Sequence, residues 1–160
     1  MDRPNLILST ADQMRADCLG IEGRGPCQTP YLDNMAAEGV RFSSAYTSVP
    51  SCIAARAAIM TGLSPESHGR PGYQDKVPWT YETTLPAQLR DAGYQTIACG
   101  KMHFYPQRNA MGFERMVLHE GNQNWNDGFV DDYHEFIDRE TGGRVSKNDH
   151  GLMDNSWLAR

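Results

Sequence analysis

No apolar run in this sequence approaches the ~20 residues that a membrane-spanning helix needs, so no membrane segment is expected. There is no excess of basic residues: 15 Lys plus Arg stand against 20 Asp plus Glu, a formal net charge of −5. That balance disfavours a nucleic-acid partner. Cysteine is scarce. The four, Cys18, Cys27, Cys52 and Cys99, form no C-x-x-C pair, which argues against a zinc knuckle. Met1-Asp2-Arg3-Pro4-Asn5 runs straight into a strand-like stretch without the charged, apolar and small-residue regions of an export signal. A cytoplasmic location and free thiols are therefore the expectation. No internal repeat and no low-complexity block is present.

What is present suits a folded chain. Apolar residues make up 39% and charged residues 22%, so a buried core is possible and wholesale disorder is disfavoured. A length of 160 residues fits one compact domain or a piece of a larger one. The acidic excess is local. Residues 1–118 carry 11 acids and 11 bases, whereas residues 119–160 carry 9 acids and 4 bases.

Asn5-Leu6-Ile7-Leu8-Ser9-Thr10 reads as a short buried strand, with Asp12 and Gln13 just after it. Thr29-Pro30 opens a helix with a capping hydroxyl and a proline at the first position, and Gly39 is expected to close it in the left-handed conformation. Val40–Tyr46 is a second strand candidate. Cys52–Thr61 is Ala-rich and followed by Gly62, which predicts a helix with Cys52 in its first turn. Residues 63–82, with Pro65, Gly69, Pro71, Gly72 and Pro78, read as a loop. Leu85, Leu89 and Ala92 predict a further helix capped by Thr84. Thr96–Cys99 reads as a third strand, followed at once by Gly100-Lys101-Met102-His103.

Strand, helix, strand, helix, helix, strand is the order of an α/β layer with a largely parallel sheet. Such sheets bind ligands beyond the carboxyl ends of their strands, where Asp12 and Lys101-x-His103 fall. Beyond residue 105 the pattern weakens. Tyr133, Phe136 and Ile137 predict a helix over about 130–139, ended by Gly142-Gly143. The close at Trp157-Leu158-Ala159-Arg160 reads as an interruption.

Each chemistry-bearing residue has two readings on its own. Cys52 is either a small buried residue on an Ala-rich helix or a thiolate favoured by the helix N-terminus, with Arg56 one turn on. Asp12 is either a turn aspartate or a carboxylate ligand for a hard cation. Lys101 and His103 are either surface groups or an anion-binding and proton-moving pair sharing one face of an extended segment. Arg56 is a helix-surface cation or an offset for developing charge. His68 reads as a solvated loop residue, and His119, His134 and His150 as surface residues. Asp131-Asp132 reads as a helix N-terminal charge pair.

Pro50-Ser51-Cys52-Ile53-Ala54-Ala55-Arg56, with Thr61-Gly62, resembles the signature of the sulfatase family, Cys-x-Pro-x-Arg or Cys-x-Ala-x-Arg before a helix and Thr-Gly. Ala54 stands where many members carry Pro. Pro4–Leu8 with Asp12-Gln13 and Arg15-Ala16-Asp17 is similar to the family's opening strand and first metal site, with Ala11 where some members have a second acid. Thr29–Asp33 with Gly39–Phe42, and Gly100-Lys101-Met102-His103, resemble two further motifs in the same order.

The resemblance implies an alkaline phosphatase-like α/β sandwich with a largely parallel central sheet flanked by helices, incomplete in this chain. It covers residues 4–103 best and makes 1–160 the N-terminal part of a catalytic domain. It also implies a sulfuric ester hydrolase whose nucleophile is formylglycine, made from Cys52 by a separate maturation enzyme. Its aldehyde hydrate would attack sulfur with one hydroxyl and expel sulfate with the other. Asp12 and the modified Cys52 would hold a divalent metal, calcium first, with magnesium or manganese as alternatives. Lys101 would bind a sulfate oxygen, His103 would hold or deprotonate a hydroxyl, and Arg56 would brace the modified residue. The substrate would be a small-molecule or carbohydrate sulfate ester.

The family's second metal motif, second active-site His and second Lys have no counterpart here; Asp154-Asn155 comes too early to serve. Little or no turnover by the 160 residues alone is expected. Three other readings stay open: a phosphonate monoester or phosphodiester hydrolase of the same superfamily, a non-catalytic remnant, and a thiol hydrolase using Cys52 with His103. Composition says nothing about oligomeric state.

Overall fold

The computed structural model describes residues 3–120 and 128–145. His150, Asp154-Asn155 and Trp157–Arg160 lie outside the described residues. The chain divides into two compact units, Met1–Tyr46 and Thr47–Arg160.

In the first unit, helix α1 (Pro30–Glu38) starts at the expected proline. Its first turn is held differently from expectation. The Thr29 hydroxyl does not cap an amide of the helix itself. It donates to Asp33 Oδ1 (2.9 Å) and accepts from the Gly20 amide (2.7 Å), so Thr29 and Asp33 fasten the loop before the helix. Gly39 ends α1 in an extended conformation (φ −113°), not the left-handed one. Glycine is needed there for closeness: a Cβ would lie 2.9 Å from the Met35 carbonyl oxygen, which accepts the Gly39 amide.

Asn5–Thr10 and Val40–Tyr46 carry no strand pairing. Leu6, Ile7 and Leu8 are exposed, Ile7 at 91%. A parallel strand is stabilised by neighbours and by cover on both faces, and the described residues of this unit give the run neither. Among the described residues, the expected three-strand order is therefore reduced to a later strand pair.

In the second unit, α2 (Cys52–Thr61) follows Ser51 and ends on Gly62 in the left-handed conformation, as its sequence predicts. Ile53, Ala57 and Met60 of α2 join Trp79, Phe104 and Met111 in the core. The Pro/Gly-rich segment is a loop containing a one-turn helix, α3 (Pro65–His68). It is tightly packed. Arg70 lies 3% exposed, its guanidinium 4.8 Å from the Trp79 ring centre, and donates to the Tyr81 hydroxyl and to the carbonyls of Val77 and Pro78. His68 is buried as well, which corrects the solvated reading. Its Nδ1 accepts the Arg70 amide at 3.2 Å, so the imidazole is part of the loop's internal packing.

Helix α4 (Leu85–Asp91) is capped by Thr84, whose hydroxyl accepts the Ala87 amide and donates to the Met111 carbonyl at 2.6 Å. Strand β1 (Ile97–Gly100) pairs in parallel with β2 (Arg115–Leu118), in the register Ile97 to Arg115 and Gly100 to Leu118. The connection, residues 101–114, contains no helix and carries core residues Phe104 and Met111. Helix α5 (Asp132–Thr141) begins at Asp131, whose carboxylate accepts the His134 amide at 2.8 Å. The Asp131-Asp132 pair thus stands at a helix N-terminus, as expected.

Candidate active site

Cys52 occupies the first position of α2, partly buried against the core. The apolar face of that helix leaves Arg56 half-buried one turn away. Its Nη1 donates to the Cys52 carbonyl (3.3 Å) and its Nε to the Lys101 carbonyl (3.2 Å). One guanidinium therefore ties the helix bearing the thiol to the segment bearing the lysine, 45 residues further on.

Lys101 and His103 leave the carboxyl end of β1 directly. His103 is 2% exposed and holds a positive φ of 60°, a conformation that costs a non-glycine residue free energy. The Tyr73 ring meets the His103 ring edge-on at 5.8 Å between centres. Tyr73 also feels Cys52: burial first, then the charges of Asp75 and Cys52, push its hydroxyl above the ordinary tyrosine value. Cys52, Arg56, Lys101 and His103 therefore share one neighbourhood in the second unit, with Tyr73 bordering it.

Parallel pairing explains a residue that sequence reasoning missed. With Gly100 opposite Leu118, the chain past β2 continues beside the chain past β1. Glu120, 1% exposed, accepts the Met102 amide at 3.0 Å and the His103 amide at 3.1 Å on Oε1 and 3.0 Å on Oε2. Burial pushes its carboxyl above the usual carboxylate range, opposed by those two amides and by the charges of Arg56 and Lys101. Its own amide donates to Asp131 at 3.1 Å. Met116-Val117-Leu118 was the available signal, a short apolar run with an acid two residues past its end.

Asp12 belongs to the first unit, following the unpaired run in a turn. Among the described residues no group of three or more His, Cys, Asp and Glu side chains could hold a metal ion. Asp12 is thus a single hard donor, and these residues do not build a complete cation cage. His119 and His134 are partly exposed beside Asp131 and Asp138, in keeping with surface roles.

By class this is an α/β segment with a parallel strand pair, in which one guanidinium ties the helix bearing Cys52 to the segment that follows β1. The chain belongs to the sulfatase family, which it matches over residues 4–156. It is 46% identical to an arylsulfatase of Clostridium perfringens, covering 99% of this chain and 35% of that protein. An arylsulfatase of Klebsiella aerogenes is 30% identical over 98% of this chain and 39% of its own length. The N-acetylgalactosamine-6-sulfatase of Mus musculus is 37% identical over 62% of this chain and 22% of its own. The crystal structure of Ps i-CgsB superposes with a TM-score of 0.63 at 28% identity, covering 91% of this chain and 34% of that one. The expected partial sulfatase fold is thus borne out. The chain spans little more than a third of the arylsulfatases it matches.

Proposed function

We propose that the protein is a sulfuric ester hydrolase acting through a formylglycine made from Cys52, and that residues 1–160 are the N-terminal part of its catalytic domain. The observation that carries this reading is the Arg56 bridge between the carbonyls of Cys52 and Lys101, which brings nucleophile position and anion-binding lysine together.

When present, formylglycine supplies paired hydroxyls on one carbon, one to displace the alcohol from sulfur and one to release sulfate. The chain's own residues do the rest. Lys101 binds a sulfate oxygen as a point charge. Arg56 holds the backbone of position 52 and offsets charge that develops there. His103, in its buried setting, moves a proton at the hydroxyl. By the family resemblance Asp12 would offer one carboxylate to a divalent cation, calcium first, magnesium or manganese otherwise. The substrate class is a small-molecule or carbohydrate sulfate, since relatives named for aryl and for N-acetylgalactosamine 6-sulfate esters both match.

The test uses the complete polypeptide, produced with a formylglycine-generating enzyme. The peptide containing Cys52 should have lost mass to the aldehyde, and p-nitrophenyl sulfate should be hydrolysed far faster than bis(p-nitrophenyl) phosphate. Cys52→Ala should abolish both signals. Preference for the phosphodiester would move the protein to the runner-up chemistry. An unconverted thiol without turnover would favour a remnant, and turnover by the thiol form, insensitive to chelator, a cysteine hydrolase.

A further inference from the structure

The Lys101–His103 segment ends on a residue in the left-handed conformation, and something must hold it. A φ of 60° at His103 is a conformation that costs a non-glycine residue free energy. Met102 and His103 each present an amide to the same place, and neither is part of the strand ladder, which ends at Gly100. A buried carboxylate meets both amides. Few arrangements bind two successive N–H groups more firmly than one charged acceptor shielded from water.

We propose that Glu120 is the positioning residue of this site, holding the Met102 and His103 backbone so that the Lys101 and His103 side chains keep their places around position 52. Three independent contacts make it a fixed post. Two are the amides it accepts. The third is its own amide, donated to Asp131 Oδ2, while Asp131 Oδ1 caps α5. The N-terminus of α5 is thereby linked through Glu120 to the histidine. The charges of Arg56 and Lys101 also reach the carboxylate.

Burial raises the Glu120 carboxyl, and a carboxyl raised on folding contributes stability below its unfolded pKa that is lost as pH rises through the folded pKa.

This inference rests on the proposed hydrolase, and its test separates the two. The first readout is amide hydrogen exchange at Met102 and His103, which needs no turnover. Glu120→Ala should speed exchange at these two amides at least tenfold relative to Ala98, and Glu120→Gln, which keeps an acceptor oxygen, by less. The second is kinetics on p-nitrophenyl sulfate, per formylglycine-bearing site, in the complete polypeptide. Glu120→Gln should lower kcat at least tenfold and move the pH profile, with KM changed less than threefold and thermal stability kept or raised. If Glu120→Ala does not fold, Glu120→Gln carries both readouts. Unchanged amide exchange, or wild-type kcat and pH profile in a folded variant, would overturn the proposal. Wild-type protein inert toward sulfate esters would sink the hydrolase reading, and amide exchange would then decide Glu120 by itself.

Discussion

Gly112 shows how a single residue can be decisive and still be unreadable from its neighbours in sequence. It holds a φ of 96°, and a Cβ built there would lie 2.7 Å from the Ala87 Cα. Both the backbone conformation and the space forbid a side chain, where the 101–114 connection crosses the start of α4. Gly112→Ala should therefore cost about 2–4 kcal/mol, a sum of strain and overpacking. Urea unfolding should record it as a lower midpoint at unchanged m-value. Thr84 is the opposite case. A hydroxyl before Leu85-Pro86 announces a cap, and the structure has that cap. Caps are local chemistry and can be read locally. Gly112 is constrained by a residue 25 positions away, and Glu120 accepts an amide 18 positions away; the apolar run before Glu120 hints at a strand but not at that contact.

At the scale of elements, helices were legible and strands only in part: the expected Thr96–Cys99 strand forms as β1, whereas Asn5–Thr10 and Val40–Tyr46 carry no strand pairing. The expected helices opening at residues 30, 52 and 85, and the one over about 130–139, all form, because capping residues, proline starts and glycine stops act within a few residues. A strand depends on a partner. Asn5–Thr10 has the better composition yet stays unpaired, while Arg115–Leu118, flanked by charge, pairs because β1 lies beside it. Helix α5 is fixed to that pair by Asp132, which accepts from Arg108 (2.7 Å) and from the Leu118 amide. The Arg108 hydrogen bond, ahead of the Leu118 amide, holds the Asp132 carboxyl below its ordinary value of 3.8. The sign follows. A depressed carboxyl stabilises the fold above its unfolded pKa, and that stabilisation is lost as pH falls through the folded pKa. The α5 contact should thus weaken only under acid conditions, below about pH 4. Asp132→Asn should flatten the acid limb of a plot of melting temperature against pH and leave its neutral region lower but level. An unaltered acid limb would mean that Arg108 and Asp132 are not coupled in solution.

For the whole molecule, the site was more legible than the sheet that should carry it. Cys52, Arg56, Lys101 and His103 were all marked by motif, and the structure gathers them in one unit. The sheet is represented among the described residues by two short strands, and the chain spans little more than a third of the arylsulfatases it matches. The consequence is physical. Ile7, Tyr31, Val40, Phe42 and Tyr46 are between 79% and 91% exposed, all of them within the first unit. Single exposed apolar side chains are ordinary, but so many within one small unit amount to apolar surface that water covers poorly. The unpaired amides and carbonyls of Asn5–Thr10 add a template for association with other chains. Residues 1–160 by themselves should therefore bind a hydrophobic dye such as ANS in the native state and scatter more light as concentration rises. Replacing Ile7 and Phe42 by Lys should reduce both signals while leaving the far-ultraviolet circular dichroism of the helices intact, since neither residue is in one. Negligible dye binding and a concentration-independent monomer would show that this apolar surface is covered in solution, and that the first unit packs without the rest of a sulfatase domain.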